Sequence, residues 1–502
     1  MSLTQYSDTA GRAFVNGLTR NAQKEAGQFM TPPTIARFMA QRLVADYNQP
    51  TIRLLEPAAG AGILAAAVIE ALLAKAERPE SIELMLCEQD ERLLPVLNEL
   101  VALATVQCAA AGVTLTALVQ HGDFLLSPSA VLGQTVDGLV VISNPPFFKL
   151  GKMDRRAQAH AYAVHGQPNI YGLFMAACAR MIGPGGRYCF ITPRSWMSGA
   201  YFMAARKCVM RHIAIECLHA FDSRRDSFGE DAVLQELMIT WGVGRPYADA
   251  GLNVLLTRST GASDLATAAV HAMPMERLVS NDEHAMLSLP AAGADPFAGW
   301  NATLSTYGMQ VSTGPVVAFR AADYIRERKE RGTVPLLWLQ HVSQQSIKWP
   351  IDKKREHIKA TAVSAWMMVR NQPMVVMRRF SPKEDQRRIT CAPYGCNNDC
   401  LPGDVIGLEN HLNYIHRPGG LMSPDEARGL SAFLASKVVD DHFRALAGST
   451  QVNATELRQL PLPPLAVLVA IGQAVPPNPS IADVDKAVAI ALASYQAQAA
   501  AG

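Results

Sequence analysis

From about residue 50 to residue 245, short apolar runs alternate with segments long enough to form helices. Such alternation is typical of an α/β fold in which helices cover a mostly parallel sheet. The pattern predicts seven strands, at residues 52–56, 82–87, 115–120, 139–143, 187–192, 213–219 and 234–240. The last two are too close in the chain for a long connecting helix, so we expect them to form an antiparallel pair at the sheet edge.

A helix is predicted just before the first strand. Ile35, Met39 and Leu43 recur at helical spacing and define one apolar face. Thr31 precedes two prolines, and we interpret it as the N-cap because threonine favours that position and proline favours the first turn.

Beyond residue 245 the alternation ends. Residues 246–300 are rich in Gly, Ala, Asp and Pro and are predicted to bridge two domains. Short mixed elements then predict an α+β domain at residues 301–502, with short elements at 336–340, 374–379 and 404–408 and helices at 424–436 and from 480. The predicted organisation is therefore a domain at residues 1–245, a bridging region at 246–300 and a second domain at 301–502.

Composition limits the classes of function. The 502 residues can bury the cores of two or three domains. Because the net charge is only +2, a nucleic-acid surface would have to come from local clustering of basic residues. The start of the sequence does not resemble a signal peptide, and no uncharged stretch reaches the roughly 18 apolar residues of a membrane span. We therefore expect a cytoplasmic protein that does not enter a membrane.

The fourth predicted strand ends in the tetrapeptide Asn144, Pro145, Pro146 and Phe147. Proline fixes φ and lacks an N–H group, so this turn is stiff and continues into neither a strand nor a helix. Its carbonyl groups, the asparagine amide and the aromatic ring are suited to accept hydrogen bonds from a planar amino group and to stack on the ring that carries it. The turn is therefore a candidate catalytic site for chemistry on an exocyclic amine.

The first predicted strand ends in a loop of small residues. Glu56 is followed by Ala58, Gly60 and Gly62, which let the backbone approach a ligand closely. Taken alone, this loop does not separate a nicotinamide dinucleotide from another adenosyl ligand.

Two more acids follow the second and third predicted strands. Ligands of open α/β sheets bind at the carboxyl ends of the strands. Glu88 is placed to take both hydroxyl groups of a ribose, and Asp123, followed by Phe124, is placed to hold and stack on an adenine. Three acids at successive strand ends favour one adenosyl ligand.

This ordered set resembles the TaqI-type (gamma-class) adenine-N6 DNA methyltransferases of type II restriction-modification systems. The resemblance covers residues 20–245 and includes the segment 27–33 and the helix that opens at Asn169. Ala59 stands where the family more often has cysteine. The resemblance implies a Rossmann-like methyltransferase sheet with S-adenosylmethionine as cofactor, whose methionine part Thr31 would contact.

The resemblance also implies a mechanism. The side-chain oxygen of Asn144 and the carbonyl of Pro145 would accept the two amino hydrogens of an adenine flipped out of duplex DNA. Phe147 would stack on one face of the base, and Trp196 is a candidate for the other face. A cytosine-C5 enzyme would need a Pro-Cys nucleophile, and the sequence contains no Pro-Cys dipeptide.

The C-terminal half matches more loosely, at residues 378–384 and 448–453, and is expected to be the target-recognition domain. Basic residues crowd one of its stretches, as phosphate contacts require. The candidate DNA-binding residues are Lys353, Lys354, Arg355, Arg378, Arg379, Lys383, Arg387 and Arg388.

Expected partners are duplex DNA and a cognate restriction enzyme that acts as a separate protein, and the chain is expected to be a monomer. Alternatives are a methyltransferase acting on an RNA base or a protein glutamine amide, a fused methylase–nuclease, and a cofactor-bound DNA-binding protein without activity. Cys391, Cys396 and Cys400 lack the usual C-x₂-C spacing of zinc sites, so we predict loop cysteines and no metal.

Overall fold

The structure is a computed structural model. It describes residues 1–501 except 19–29, 128–134, 222–235, 246–252, 281–282, 290–296, 298–299, 352–354, 381–384, 397–399, 447–451 and 453. The chain divides into two compact units, Met1–Leu289 and Pro290–Gly502.

The described part of the N-terminal unit is built on one nine-stranded sheet. Its strands are β1 (Thr51–Glu56), β2 (Ser81–Glu88), β3 (Thr114–His121), β4 (Leu139–Ser143), β5 (Arg187–Pro193), β6 (Ile213–Phe221), β7 (Leu237–Gly244), β8 (Asn253–Ser259) and β9 (Val270–Pro274). They lie in the order β3-β2-β1-β4-β5-β7-β6-β8-β9. Strands β1 to β5 run parallel, β7 is antiparallel to both of its neighbours, and β9 is an antiparallel strand at the edge.

Helices of the N-terminal unit cover this sheet and connect its parallel strands. They are α1 (Leu3–Asn16), α2 (Pro33–Val44), α3 (Ile63–Leu73), α4 (Leu94–Ala110), α5 (Arg155–Ala159), α6 (Ile170–Met181), α7 (Ser195–Ser198), α8 (Met203–His212) and α9 (Met275–Leu278). All five residues of β4 are buried, which fits the near-continuous apolar run of a strand covered on both faces.

The seven strands predicted from the sequence are all present, and the sixth and seventh pair antiparallel as predicted. Their expected place at the sheet edge is wrong, because β8 and β9 lie outside them. For the same reason residues 246–300 are not simply a bridging region. β8 buries Val254 and Leu256 against the sheet, and this short apolar run was obscured by its Gly- and Ala-rich flanks.

The predicted N-cap of α2 is also wrong. The helix begins at Pro33 with Pro32 as N-cap, and no side chain caps it. The hydroxyl of Thr31 accepts a hydrogen bond from another part of the chain, described below. An N-cap is predicted from the preferences of neighbouring residues alone. Here the threonine hydroxyl takes part in a contact with a distant residue instead.

Within its described residues, the C-terminal unit contains short strands in three small sheets. Its strands are β10 (Gln310–Thr313), β11 (Ile325–Arg326), β12 (Thr333–Leu337), β13 (Val342–Ser343), β14 (Ser346–Ile347), β15 (His357–Lys359), β16 (Met368–Arg370), β17 (Met374–Arg378), β18 (Cys391–Tyr394), β19 (Val405–Leu408) and β20 (Leu412–His416). The sheets have the orders β10-β20-β17-β18, β11-β15-β12-β19-β16 and β13-β14.

Helices follow these strands: α10 (Pro424–Ala435), α11 (Lys437–Leu446), α12 (Ala454–Gln459), α13 (Leu465–Ala474) and α14 (Ile481–Ala501). A capping box between Ser423 and Glu426 fixes the start of α10. Helices α10 and α13 touch backbone to backbone, since a Cβ at Gly429 would lie 1.7 Å from the carbonyl oxygen of Leu468. The helical core that results packs against the sheet containing β17.

Within the described residues, one helix, Glu91–Ala110, has the length and apolar composition of a membrane span. It connects β2 to β3, and its residues Leu97, Leu100 and Ala104 belong to the core under the sheet. A crossover helix of an α/β sheet meets the same criteria of length and composition.

Candidate active site

A cleft of about 780 Å³, including its open mouth, lies at the carboxyl ends of β1, β2 and β4. The sheet places β1 between β2 and β4, so the chain reverses its direction of winding there. Ligands of open α/β sheets bind at such a point. Of the residues predicted from sequence, the cleft is lined by Thr31, Glu56, Ala58, Gly60, Glu88, Asp123, Phe124, Asn144 and Pro146.

The loop after β1 is held open by glycines in the left-handed region. Gly60 has φ +55° and its Cα faces space next to the sulfur of Met30, so a backbone surface is exposed to the cleft. Gly62 has φ +75° and does not line the cleft. A Cβ at Gly62 would lie 2.5 Å from Leu100, so this glycine allows close packing of α4 and does not contact a ligand there.

Glu56 ends β1 and is buried. Its Oε2 accepts a hydrogen bond of 2.9 Å from the N–H of Ala65, in the first turn of α3. Burial raises the pKa of Glu56 well above its ordinary value, against the lowering effect of the helix N–H groups. The carboxyl group therefore joins the strand end to the start of the helix on one wall of the cleft.

Glu88 ends β2 and is held by two loops. The N–H of Gly60 donates to its Oε2 at 2.7 Å, and the N–H of Asp90 donates to its Oε1 at 2.8 Å. Burial raises the pKa of Glu88, while the backbone N–H groups oppose that shift. The carboxyl group is thus fixed in direction and still has lone pairs for a pair of hydroxyl groups.

Asp123 and Phe124 follow β3 at the next position along the cleft. The N–H of Leu125 donates to Oδ1 of Asp123 at 2.9 Å, and the guanidinium of Arg156 lies 3.7 Å from Oδ2. The ring of Phe124 stacks on that of Phe174 at a centroid distance of 5.6 Å. An acceptor beside a supported aromatic face is suited to bind a planar heterocycle with an amino group.

Asn144 directly follows β4 and has an oriented amide. Its Nδ2 donates to Oγ1 of Thr31 at 2.9 Å, and Thr31 is buried. This hydrogen bond places the amide oxygen on the side away from the threonine. No described residue donates a hydrogen bond to the carbonyl of Pro145, a buried residue that follows Asn144 in the chain and is not among those that line the cleft.

Phe147 is half-buried and packs between the two cores on either side of the sheet. Its ring meets the edge of Tyr171 at a centroid distance of 5.9 Å. Tyr171 is in turn fixed by a hydrogen bond of 2.7 Å between its hydroxyl and that of Ser195 and by stacking on Phe202. The ring of Phe147 therefore has a rigid support.

Trp196 is not placed to stack on a ligand. Its side chain is 1% exposed and belongs to the core beneath the sheet. The residue lies in α7, directly after Ser195, and its backbone carbonyl accepts a hydrogen bond from Arg206. The sequence gives no signal for which side of this short helix faces inward.

Several residues of the cleft were missed from the sequence. Cys87 and Gln89 line it next to predicted residues, and Ile170 and Phe174 line it from α6, while Met30, which also lines it, belongs to the segment 27–33 noted for its resemblance. The spacing of four between Ile170 and Phe174 places them on one helix face, which is the signal that could have identified them.

The predicted basic residues of the C-terminal half differ widely in surroundings. Lys353, Lys354 and Lys383 lie outside the described residues. Arg388 is only 1% exposed, and Arg387 is paired with Asp485. The prediction that these two residues contact DNA is therefore wrong. Each of these two charges serves the fold.

The other three predicted basic residues lie nearer the surface. Arg355 is exposed and lies 3.6 Å from Glu327. Arg378 donates to the carbonyl of Val342 at 2.7 Å, and Arg379 lies over the ring of Phe380.

The cysteines of the C-terminal unit are not all in loops. Cys391 lies in β18 and is buried, and its thiol donates to the carbonyl of Ser431. Cys396 is also buried, whereas Cys400 is exposed.

Taken together, a mostly parallel sheet with an acid at each of three strand ends, a glycine loop and a supported aromatic face define the class of S-adenosylmethionine-dependent methyltransferases. The residues present fit that cofactor. Gly60 leaves room where a side chain would intrude, and Glu88 and Asp123 offer acceptors in the order of a ribose and an adenine.

Comparison with known proteins gives the family. The Eco57I restriction-modification methylase family matches residues 139–228. The type II methyltransferase M.BsuBI of Bacillus subtilis is 31% identical over 489 residues, 94% of each chain. M.PstI of Providencia stuartii is 29% identical over 482 residues, 92% of each chain. Among solved structures, the DrdV–DNA complex aligns with a TM-score of 0.49 and 13% identity, over 94% of this chain and 59% of that one.

The chain belongs to the type II methyltransferases of restriction-modification systems. It is a site-specific DNA methyltransferase that uses S-adenosylmethionine.

Proposed function

We propose that the enzyme methylates N6 of an adenine that it flips out of duplex DNA. The observation that carries this proposal is the oriented amide of Asn144, whose Nδ2 is held by Thr31 at 2.9 Å while Pro146 lines the same cleft. An amide oxygen next to a carbonyl that accepts no hydrogen bond from any described residue is an acceptor pair, and an exocyclic amine offers two donors.

The chain's own residues would act by binding and orientation. The amide oxygen of Asn144 and the carbonyl of Pro145 accept one amino hydrogen each, which draws the nitrogen towards a tetrahedral shape and localises its lone pair. The stiffness of the Pro145–Pro146 turn keeps the two acceptors at a fixed separation. Most of the rate acceleration then comes from holding the nitrogen in line with the methyl donor.

S-adenosylmethionine supplies an electrophilic methyl group on a sulfonium. Glu88 and Asp123 would bind its ribose and adenine, and Phe124 would stack on the adenine with Phe174 behind it. Thr31 and the loop of Ala58 and Gly60 would border the methionine part. No residue of the chain needs to form a covalent bond to the base.

The position of the acceptors supports base flipping. Asn144 and Pro145 are at least half-buried at the end of β4, and a base that remains stacked in a duplex does not bring its amino group to such a depth. Phe147, supported by Tyr171, offers one face on which the extruded base stacks.

Duplex DNA as substrate separates this enzyme from methyltransferases of RNA bases or of protein glutamine amides, which share the tetrapeptide. We also propose that methylation protects host DNA from a separate restriction enzyme. The monomeric state and the cytoplasmic location stay predictions.

The test is product analysis. Duplex DNA is incubated with the enzyme and labelled cofactor, digested to nucleosides and analysed by mass spectrometry. We expect the label in N6-methyladenine. Label in N4-methylcytosine would keep the amine chemistry and overturn the choice of base, and label in 5-methylcytosine would overturn the role of the turn altogether.

A further inference from the structure

Two loops of the C-terminal unit meet at one end of its five-stranded sheet. Strands β11 and β15 run antiparallel, with Ile325 opposite Ile358, so the residues before β11 and those after β15 emerge at the same end. The N–H of Lys359 donates to the carbonyl of Tyr324 at 2.9 Å. The end of loop 317–324 and the start of loop 360–366 are therefore held side by side.

A third loop, 327–332, arrives at this end from β11. It leads into β12, whose Thr333 is opposite Lys359 of β15. The N–H of Ala360 donates to the carbonyl of Gly332 at 2.9 Å, so the end of this loop is fixed next to the start of loop 360–366.

Large aromatic side chains project from the first two loops into solvent. Phe319 is 77% exposed and Trp366 is 68% exposed. Their near neighbours Ala321 and Met367 are buried in one core cluster together with Ile358. The rings are thus presented to solvent by an anchored backbone, and their apolar surface is left for a partner to cover.

The third loop, 327–332, carries positive charges that form no ion pair with any described residue. Arg328, Lys329 and Arg331 are exposed, and none of them has an acidic partner among the described residues. The two acids of loop 327–332 face other cations instead, with Glu327 3.6 Å from Arg355 and Glu330 3.4 Å from Arg326.

The first aromatic loop adds a further cation. The guanidinium of Arg320 lies over the ring of Phe319, 5.3 Å from its centroid. A cation stacked on an exposed ring is a combination that contacts phosphate and base or sugar together.

We propose that these three loops form a DNA-binding surface, the aromatic–basic surface, made of Phe319, Arg320, Arg328, Lys329, Arg331 and Trp366. The cations contact the phosphate backbone, and the two rings pack on bases or sugars in a groove or at an opened base step. Charge complementarity selects the partner, because exposed cations without acidic partners among the described residues, on loops joined to others that carry exposed rings, favour a polyanion that has flat faces. The inference rests on duplex DNA as the substrate, as in the proposed function, and is independent of which base is methylated.

The experiment measures the binding of duplex plasmid fragments by the full chain at several salt concentrations, without methyl transfer. Arg328→Gln should weaken binding and reduce the slope of log affinity against log salt by about 0.9, the value for one phosphate contact. Combining it with Lys329→Gln and Arg331→Gln should enlarge that reduction. Lys486→Gln, on the exposed face of α14, is the matched control and should leave the slope unchanged.

The aromatic contribution is separated by a second pair of variants. Trp366→Ala should weaken binding roughly five- to hundredfold at an unchanged salt slope, the range expected for loss of one stacked base. Trp366→Phe should retain most of the affinity, and Leu421→Ala, which truncates another exposed apolar side chain, should have no effect.

Thermal unfolding and cofactor binding are measured on every variant, so a folding defect is recognised. If folded variants of the three cations and of Trp366 bind DNA like the parent, with the same salt slope, the surface serves another partner or none and the proposal is overturned. A protein that methylates a base other than adenine but shows the expected binding losses would overturn the proposed function and leave this surface intact.

Discussion

The cleft of the N-terminal unit and the aromatic–basic surface of the C-terminal unit use polar side chains in opposite ways. In the cleft, Glu56, Glu88 and Asp123 each accept hydrogen bonds from backbone N–H groups that fix their direction. On the surface, Arg328 and Lys329 have no acidic partner among the described residues. Binding a small cofactor requires groups fixed in advance, whereas binding a polyanion requires charge that the fold has not neutralised.

The comparison also explains why basic residues close in sequence differ in function. Arg387 and Arg388 belong to the same charged stretch as Arg379, but Asp485 neutralises the first and burial encloses the second. A cation that stabilises the fold is not available to a phosphate.

The largest effect is expected at Arg388. A buried guanidinium persists only with partners, and removing it leaves those partners unpaired in the core. Arg388→Met should lower the free energy of unfolding by about 3 kcal/mol, with no change in the salt dependence of DNA binding. Chemical denaturation checks the first part and filter binding the second. Arg328→Gln is the control, expected within about 0.5 kcal/mol of the parent. If the Arg388→Met variant were as stable as the parent and showed a reduced salt slope, Arg388 would contact DNA after all.

A variant of Thr31 tests whether its hydroxyl group orients the amide of Asn144 in the cleft. Thr31→Val keeps the shape and removes the acceptor that orients the amide of Asn144, so the amide can present its NH₂ group to the base. We expect kcat to fall about tenfold to a hundredfold, roughly 1.4 to 2.7 kcal/mol, with little change in cofactor affinity. Thr31→Ser should restore most of the rate. If the valine variant instead loses cofactor affinity at unchanged kcat, Thr31 acts on the methionine part of the cofactor and not on Asn144.

A variant of Phe147 tests whether the flipped base stacks on this ring. Phe147→Ala should weaken retention of the flipped base by about 1 to 3 kcal/mol because one stacking face is lost. Duplexes with 2-aminopurine at the target position report flipping as a rise in fluorescence. We expect a smaller rise for the variant, and an unchanged rise would argue against stacking on this ring.

The smallest effect concerns pH. Burial raises the pKa of Glu88 above the ordinary 4.5 of a glutamate. As the pH falls, its carboxylate therefore becomes protonated at a higher pH than that of an exposed glutamate. The ionised form accepts the ribose hydroxyl groups, and cofactor affinity should therefore fall as the pH is lowered from neutral towards and through that raised pKa. Glu88→Gln should bind about tenfold more weakly at neutral pH, the worth of one charged hydrogen bond, and with a flatter pH dependence. Calorimetric titration at several pH values checks both, and an equally steep profile in the variant would assign the titration to another group.

The strands of the N-terminal unit could be predicted from the sequence because each is specified by residues close together in the chain. Each strand is a short apolar run, and the chemical residues directly follow these runs, so topology alone brings Glu56, Glu88 and Asn144 to one edge. Asp123 is found in the same way. Strands β8 and β9 were missed because their flanks are rich in Gly and Ala.

Side-chain direction and partners were not accessible from the sequence. Trp196 and Arg388 were chosen by residue type and position in the chain, and their burial depends on contacts with distant segments. Conversely, Phe319 and Trp366 are separated by 46 intervening residues, and their loops are joined only through the pairing of β11 with β15. An aromatic residue in a short irregular stretch gives no sequence signal of exposure.

The most direct test of the account compares turnover and cofactor binding in variants of Asn144. Asn144→Ala removes the amide oxygen, and we expect methyl transfer to fall by at least about a hundredfold, the loss typical of one oriented group that acts in the transition state, while cofactor affinity stays near that of the parent. Asn144→Asp, which keeps an acceptor oxygen, should retain measurable turnover. Turnover of the alanine variant at the parental rate would contradict the proposal that this turn holds the amino group of the target base.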